Sequence, residues 1–123
     1  EGDATKVDLS ECDTIILFHL LHHLNSYRQQ EDLLKNIYKN LKKGNKLIIV
    51  EAIPRFSFKY LLVWITDHLL VPIIFEKRLY SPIFFRKKSE WKELLESLGF
   101  KFRMIEADKG KPFSHIILEC IKK

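Results

Sequence analysis

Residues 13–51, DTIILFHLLHHLNSYRQQEDLLKNIYKNLKKGNKLIIVE, constrain the fold more than any other stretch. Thr14 to Phe18 is a short apolar run with the length and β-branched content of a buried strand. A turn carrying His19, His22 and His23 follows, and then a segment of helical periodicity. Leu33, Leu34, Ile37, Tyr38 and Leu41 fall on one helix face. Lys42 and Lys43 suit the negative end of that helix, and Gly44 is expected to stop it in a left-handed conformation. Residues 47–50 form a second apolar run without alternation, the pattern of a strand covered on both faces. Strand, helix and strand with short joints predict a right-handed parallel βαβ unit.

An aspartate opening an apolar strand, then LFHLLHHL, a helix, LKKGNKLIIVE and later SEWKELLESLGF resembles the C-terminal half of a class I S-adenosylmethionine-dependent methyltransferase. The resemblance covers most of residues 2–123, and the order and spacing of its pieces are more specific than any one of them. It implies an α/β fold, a three-layer Rossmann-like methyltransferase sheet that is partial. The fourth to seventh strands would lie in the order fourth, fifth, seventh, sixth, the seventh antiparallel. Residues 1–123 would form a single partial domain. The implied cofactor is S-adenosylmethionine. Phe18, His19 and Leu20 match the stretch after the fourth strand and would wall it, largely through backbone atoms. Asp3, in GDA, is similar to the acidic residue that accepts from the adenine amino group; by itself it reads as a turn aspartate capping its own backbone, and only the resemblance makes the two readings equal. The family's glycine-rich loop has no counterpart, since no G-x-G occurs. Residues 1–123 alone are therefore expected to be inactive, the activity belonging to an intact parent.

The chain of 123 residues, 46% hydrophobic and 30% charged, fits one ordinary soluble domain. It begins at Glu1 without methionine, and reads as a piece of a longer protein. The net charge of +5 is spread over helix faces and the tail, which suits a solvated surface. Cys12 and Cys120 match neither a metal nor a disulfide spacing, and no targeting segment is visible, so a reducing, cytoplasmic setting is expected.

Residues 56–75, FSFKYLLVWITDHLLVPIIF, are apolar nearly all round. Lys59, Asp67 and His68 interrupt them and Pro72 should end or kink a helix, so a transmembrane span is not expected. An apolar helical insertion, a lid over about residues 54–86, fits better. Phe58, Tyr60, Leu61, Trp64, Ile65 and Leu69 supply more apolar surface than docking one helix on a sheet requires. Starting at the ligand rim, the insertion should cover a small, largely apolar acceptor, with Trp64, Asp67 and His68 binding it and Glu51, at the end of its strand, lining the same pocket. The surplus apolar surface equally suits a second subunit, leaving a homo-oligomer open, or a membrane surface. RKKSEWKELLESLGF is a helix with Ser89 as N-cap, Trp91, Leu94, Leu95 and Leu98 as its apolar stripe and Gly99 at its end. A C-terminal antiparallel hairpin follows, with DKGKP as its turn and residues 114–121 as its last strand.

Ligands of open α/β sheets bind outside the carboxyl ends of parallel strands. A histidine on that rim can take a proton from an acceptor, because imidazole titrates near neutrality. His22 is the candidate base. His19, His22 and His23 also invite a metal, but the acidic partner and spacing of H-E-x-x-H are missing, so none is assigned. Glu51 reads equally as a capping or solvated glutamate. No nucleophile elbow or P-loop occurs; methyl transfer needs neither, since it rests on alignment and exclusion of water. Two other functions compete: a non-catalytic scaffold that kept the fold, and an RNA methyltransferase using Arg86, Lys87 and Lys88. Those charges are interleaved with glutamates, which disfavours nucleic acid.

Overall fold

The computed structural model describes residues 6, 8–9, 11–53, 58–70, 73, 84–107 and 114–123, the side chains of 58–60 and 63 excepted. Strand β1 (Thr14–Phe18) leads through a 3-10 turn (Leu21–His23) into helix α1 (Tyr27–Asn40) and strand β2 (Lys46–Ala52). Helix α2 (Phe58–Ile65) widens into a π-helical turn (Thr66–Leu70). Helix α3 (Lys88–Leu98) and strands β3 (Phe100–Glu106) and β4 (His115–Lys122) complete the chain. The sheet order is β1-β2-β4-β3, with β1 and β2 parallel and β4 antiparallel to both of its neighbours. Order and directions are those that the resemblance implies.

Side chains alternate across a strand, and the registers align Ile15 with Leu47 and Cys120, and Leu17 with Ile49 and Leu118. This face packs against Leu33, Leu34, Ile37 and Leu41 around α1 and against Trp91, Leu94 and Leu95 of α3. Each such side chain contributes roughly 1.5–3 kcal/mol on burial. Cys120 lies in the same core, where burial pushes its thiol up to about 12. The opposite face, with Ile48, Val50 and Ile117, is only half-buried, and on β1 Ile16 and Phe18 are 62% and 67% exposed. The continuous apolar run of β2 thus meets a packed layer on one side and a partly open one on the other.

Ser26 caps α1 by accepting from the Gln29 N–H at 3.1 Å, while the Gln29 side chain accepts from the Asn25 N–H. Two expected helix ends differ. Helix α1 stops at Asn40 with an extended Leu41, so Gly44 (φ +86°) serves the turn into β2, its N–H donating to Lys122 O. Ser89 is not the cap of α3 but lies within its first turn. Lys87 precedes the helix, and its N–H is satisfied by the Glu90 carboxylate at 2.6 Å. Gly99 does end α3, at φ +89°, a left-handed conformation that favours glycine, and a Cβ there would sit 2.9 Å from Tyr38 Oη, so that side chain would have to shift. No helix among the described residues is long and apolar enough to cross a membrane. The hairpin turn DKGKP, residues 108–112, lies outside the described residues.

Candidate functional site

The site begins where β1 ends. His19 adopts a left-handed backbone (φ +49°), unusual for a residue with a side chain, and its N–H still donates to Val50 O at 2.9 Å. The chain therefore leaves the sheet abruptly and turns inward at Leu21–His23. Backbone strain of this kind costs on the order of 1–3 kcal/mol and persists where surrounding contacts over-determine it.

Those contacts converge on the 3-10 turn. Glu51, buried at the carboxyl end of β2, accepts from the Leu21 N–H through Oε1 at 2.8 Å and from His22 Nδ1 through Oε2. Gln30 of α1 donates its amide to Leu21 O (3.0 Å) and to Phe84 O (2.7 Å). Its carbonyl accepts from Arg86 Nε at 2.8 Å. The Phe84 N–H donates to His22 O, and the Phe85 ring stacks on the His22 imidazole with centroids 4.9 Å apart. Arg86 continues to Glu31 and Tyr27 O and lies over the Tyr27 ring. The His22 ring is thus held by Glu51 at its edge and by Phe85 across its face, with Nδ1–H committed to the carboxylate. That hydrogen bond leaves the lone pair on Nε2.

His22 Nε2 faces a cavity of about 190 Å³ lined by His19, His22, His23, Ala52, Thr66, Asp67 and His115. Asp67 comes from the π-helical turn, where Thr66 Oγ1 donates to Leu62 O, and its Oδ2 lies 3.7 Å from His22 Nε2. Such widened turns recur at functional sites because they re-aim side chains. His115, the first residue of β4, meets the His19 ring at 4.8 Å. Burial first, and then the neighbouring His115, lower the pKa of His19 from its ordinary value; Glu51 and Asp67 oppose this, and His22 adds to it.

The fold thus brings His19, His22 and Asp67 to one cavity. Glu51 stands behind His22 instead of on the cavity wall. Trp64 and His68 stack on each other (4.6 Å), with His68 Nδ1 against Trp64 O at 3.0 Å, and neither lines the cavity. Phe18 projects at the carboxyl end of β1, and Leu20 packs against the core. Asp3 lies outside the described residues. Sequence reasoning missed Gln30, Arg86 and His115. Gln30 had a visible signal, a polar residue in register with the apolar stripe of α1. His115 had one too: an antiparallel last strand over residues 114–121 begins at the carboxyl rim of its parallel neighbour, where His115 pairs with Ala52.

No curated protein matches the chain. Among solved structures, a Thermotoga maritima S-adenosylmethionine-dependent methyltransferase superposes with a TM-score of 0.71 at 21% identity, over 99% of this chain and 62% of that one. Mitomycin 7-O-methyltransferase gives 0.71 at 22% identity, over 99% of this chain and 33% of that one. Human N-acetylserotonin methyltransferase in complex with S-adenosylmethionine gives 0.63 at 25% identity, over 99% and 32%. The chain spans less than two thirds of each. The model of one family matches residues 1–101, most of the chain. The chain belongs to the O-methyltransferase domain family.

Proposed function

We propose that the intact protein transfers a methyl group from S-adenosylmethionine to a hydroxyl of a small molecule, with His22 as the general base. One observation carries this reading: a buried carboxylate holds Nδ1–H of His22, and Nε2 is turned on a cavity at the carboxyl rim of the parallel strands. An acceptor hydroxyl in that cavity donates its proton to Nε2. Glu51 accepts from Nδ1–H throughout and stabilises the imidazolium that forms, as a positioning residue. Asp67 adds negative charge on the other side of the ring.

The exposed Phe18 ring and the left-handed His19 leave open apolar surface and a sharp backbone exit at the end of β1, which suits the cofactor wall assigned to Phe18, His19 and Leu20. When bound, S-adenosylmethionine supplies an electrophilic methyl group that needs no further activation. Residues 1–123 alone hold it weakly, because they contain no glycine-rich loop. The acceptor's reacting end enters the polar cavity. Its body is largely apolar and meets α2, where Leu61 and Trp64 are 48% and 38% exposed and Trp64 lies one turn before Asp67.

The test is methyl incorporation by the intact protein into a panel of hydroxylated aromatic and lipid-like molecules, with His22→Gln beside the wild type. Loss of a general base lowers kcat by about 10²–10⁴. Cofactor affinity should stay unchanged. A wild type that methylates none of them, or a variant that turns over as fast, overturns the reading.

A further inference from the structure

His22, His23 and Asp67 each offer a ligand atom, and the three atoms lie within 4.8 Å of one another. The sequence spacing gave no acidic partner for these histidines; the π-helical turn of the insertion brings one. We propose that they form a binding site for a divalent transition-metal ion of the Zn²⁺ class.

Three features support it. The first is the tautomer. Metal-bound histidines nearly always donate their other ring N–H to a carboxylate or carbonyl, which fixes the ring and raises its basicity. Glu51 does this to His22 Nδ1, leaving Nε2 as the free lone pair. The second is the donor set. Two imidazoles and one carboxylate make a three-ligand N/N/O site with a position left for water, which zinc accepts readily. Tetrahedral zinc ligands stand about 3.4 Å apart. The His22 Nε2–Asp67 Oδ2 separation of 3.7 Å is already close. His23, whose ring packs beside His22 with centroids 4.2 Å apart, brings its ligand atom within 4.8 Å of the other two. The third is access, since all three line the open cavity.

A second grouping, His19, His22 and Glu51, has the same spread. Its carboxylate is already occupied by the Leu21 N–H and by His22 Nδ1–H. An ion there would compete with both bonds for the carboxylate lone pairs, so the geometry favours the Asp67 site. Where His22 also serves as the base, ion and acceptor proton compete for the same Nε2. That consequence rests on the function proposed above, but metal binding itself does not.

The experiment is calorimetric titration of the metal-stripped protein with ZnCl₂. The expected result is one saturable equivalent, with His23→Ala and Asp67→Asn each weakening affinity about tenfold or more. His19→Ala and His115→Ala should leave it within about twofold. In the wild type, one equivalent of Zn²⁺ should shift the ring-proton NMR signals of His22 and His23, a readout that needs no variant to fold. Absence of saturable binding, equal affinity in the His23 and Asp67 variants, or dependence on His19 in place of His23 would overturn the site. Because the titration reads binding alone, it stands or falls separately from the effect of His22→Gln on methyl transfer.

Discussion

At the scale of residues, the cavity holds imidazoles in different electrostatic settings. His22 has a carboxylate on each side of its ring, whereas His19 faces His115 and is desolvated by the end of β1. Burial and His115 together outweigh Glu51 and Asp67, so His19 takes up a proton less readily than a free imidazole. The sign of the linkage follows. The folded state binds fewer protons at His19 than the unfolded state, so stability is retained above the ordinary value of 6.5 and is lost as pH falls through it. NMR titration of the metal-free protein should place the His19 midpoint below 6.5, with His115→Ala moving it back upward. A midpoint at or above 6.5 would mean that the nearby carboxylates dominate instead.

At the scale of elements, the 3-10 turn after β1 is placed by three separate pieces of chain: β2 through Glu51, α1 through Gln30, and residues 84–86 through two backbone groups and a guanidinium. Arg86 is the keystone of the last, because it joins Gln30, Glu31 and Tyr27 O across more than fifty residues of sequence. Arg86→Ala leaves the buried Gln30 carbonyl without its charged donor, which costs about 2–3 kcal/mol. Chemical denaturation should show that loss at an unchanged m-value. In the same variant the His22 ring signals should broaden as residues 84–86 release the turn. A stability change under about 0.5 kcal/mol would show that α1 and β2 suffice. The elements themselves were legible in the sequence because periodicity reports burial: β1, α1, β2, α3 and the hairpin all announce their apolar faces. The clamp was not legible, since Arg86 in a run of three basic residues looks like solvated surface until the fold carries it to Gln30. Helix ends were read less well for a local reason. Gly44 and Ser89 are the residue types that favour caps, yet an extended Leu41 and a reaching Glu90 already did that work one turn or less away.

At the scale of the whole molecule, β1 is the outermost strand on one side of the sheet among the described residues, so one of its backbone edges has no strand partner among them. The same strand bears Ile16 and Phe18, more than half exposed, on the face away from α1 and α3. An unpaired edge beside an uncovered apolar face is the combination that natural sheets avoid, and neither a charged side chain nor a proline within β1 blunts it. The exposed Leu61, Trp64, Leu69 and Leu70 of the insertion extend the apolar surface further. Residues 1–123 on their own should therefore self-associate through β1. Sedimentation should show a mass that rises with concentration, and melting should be concentration-dependent. Ile16→Lys, placing a charge at the centre of the exposed face, should return the chain to a monomer without loss of helix or strand signal. A wild type that stays monomeric and melts sharply and reversibly at every concentration would show that this edge and face are satisfied within one chain.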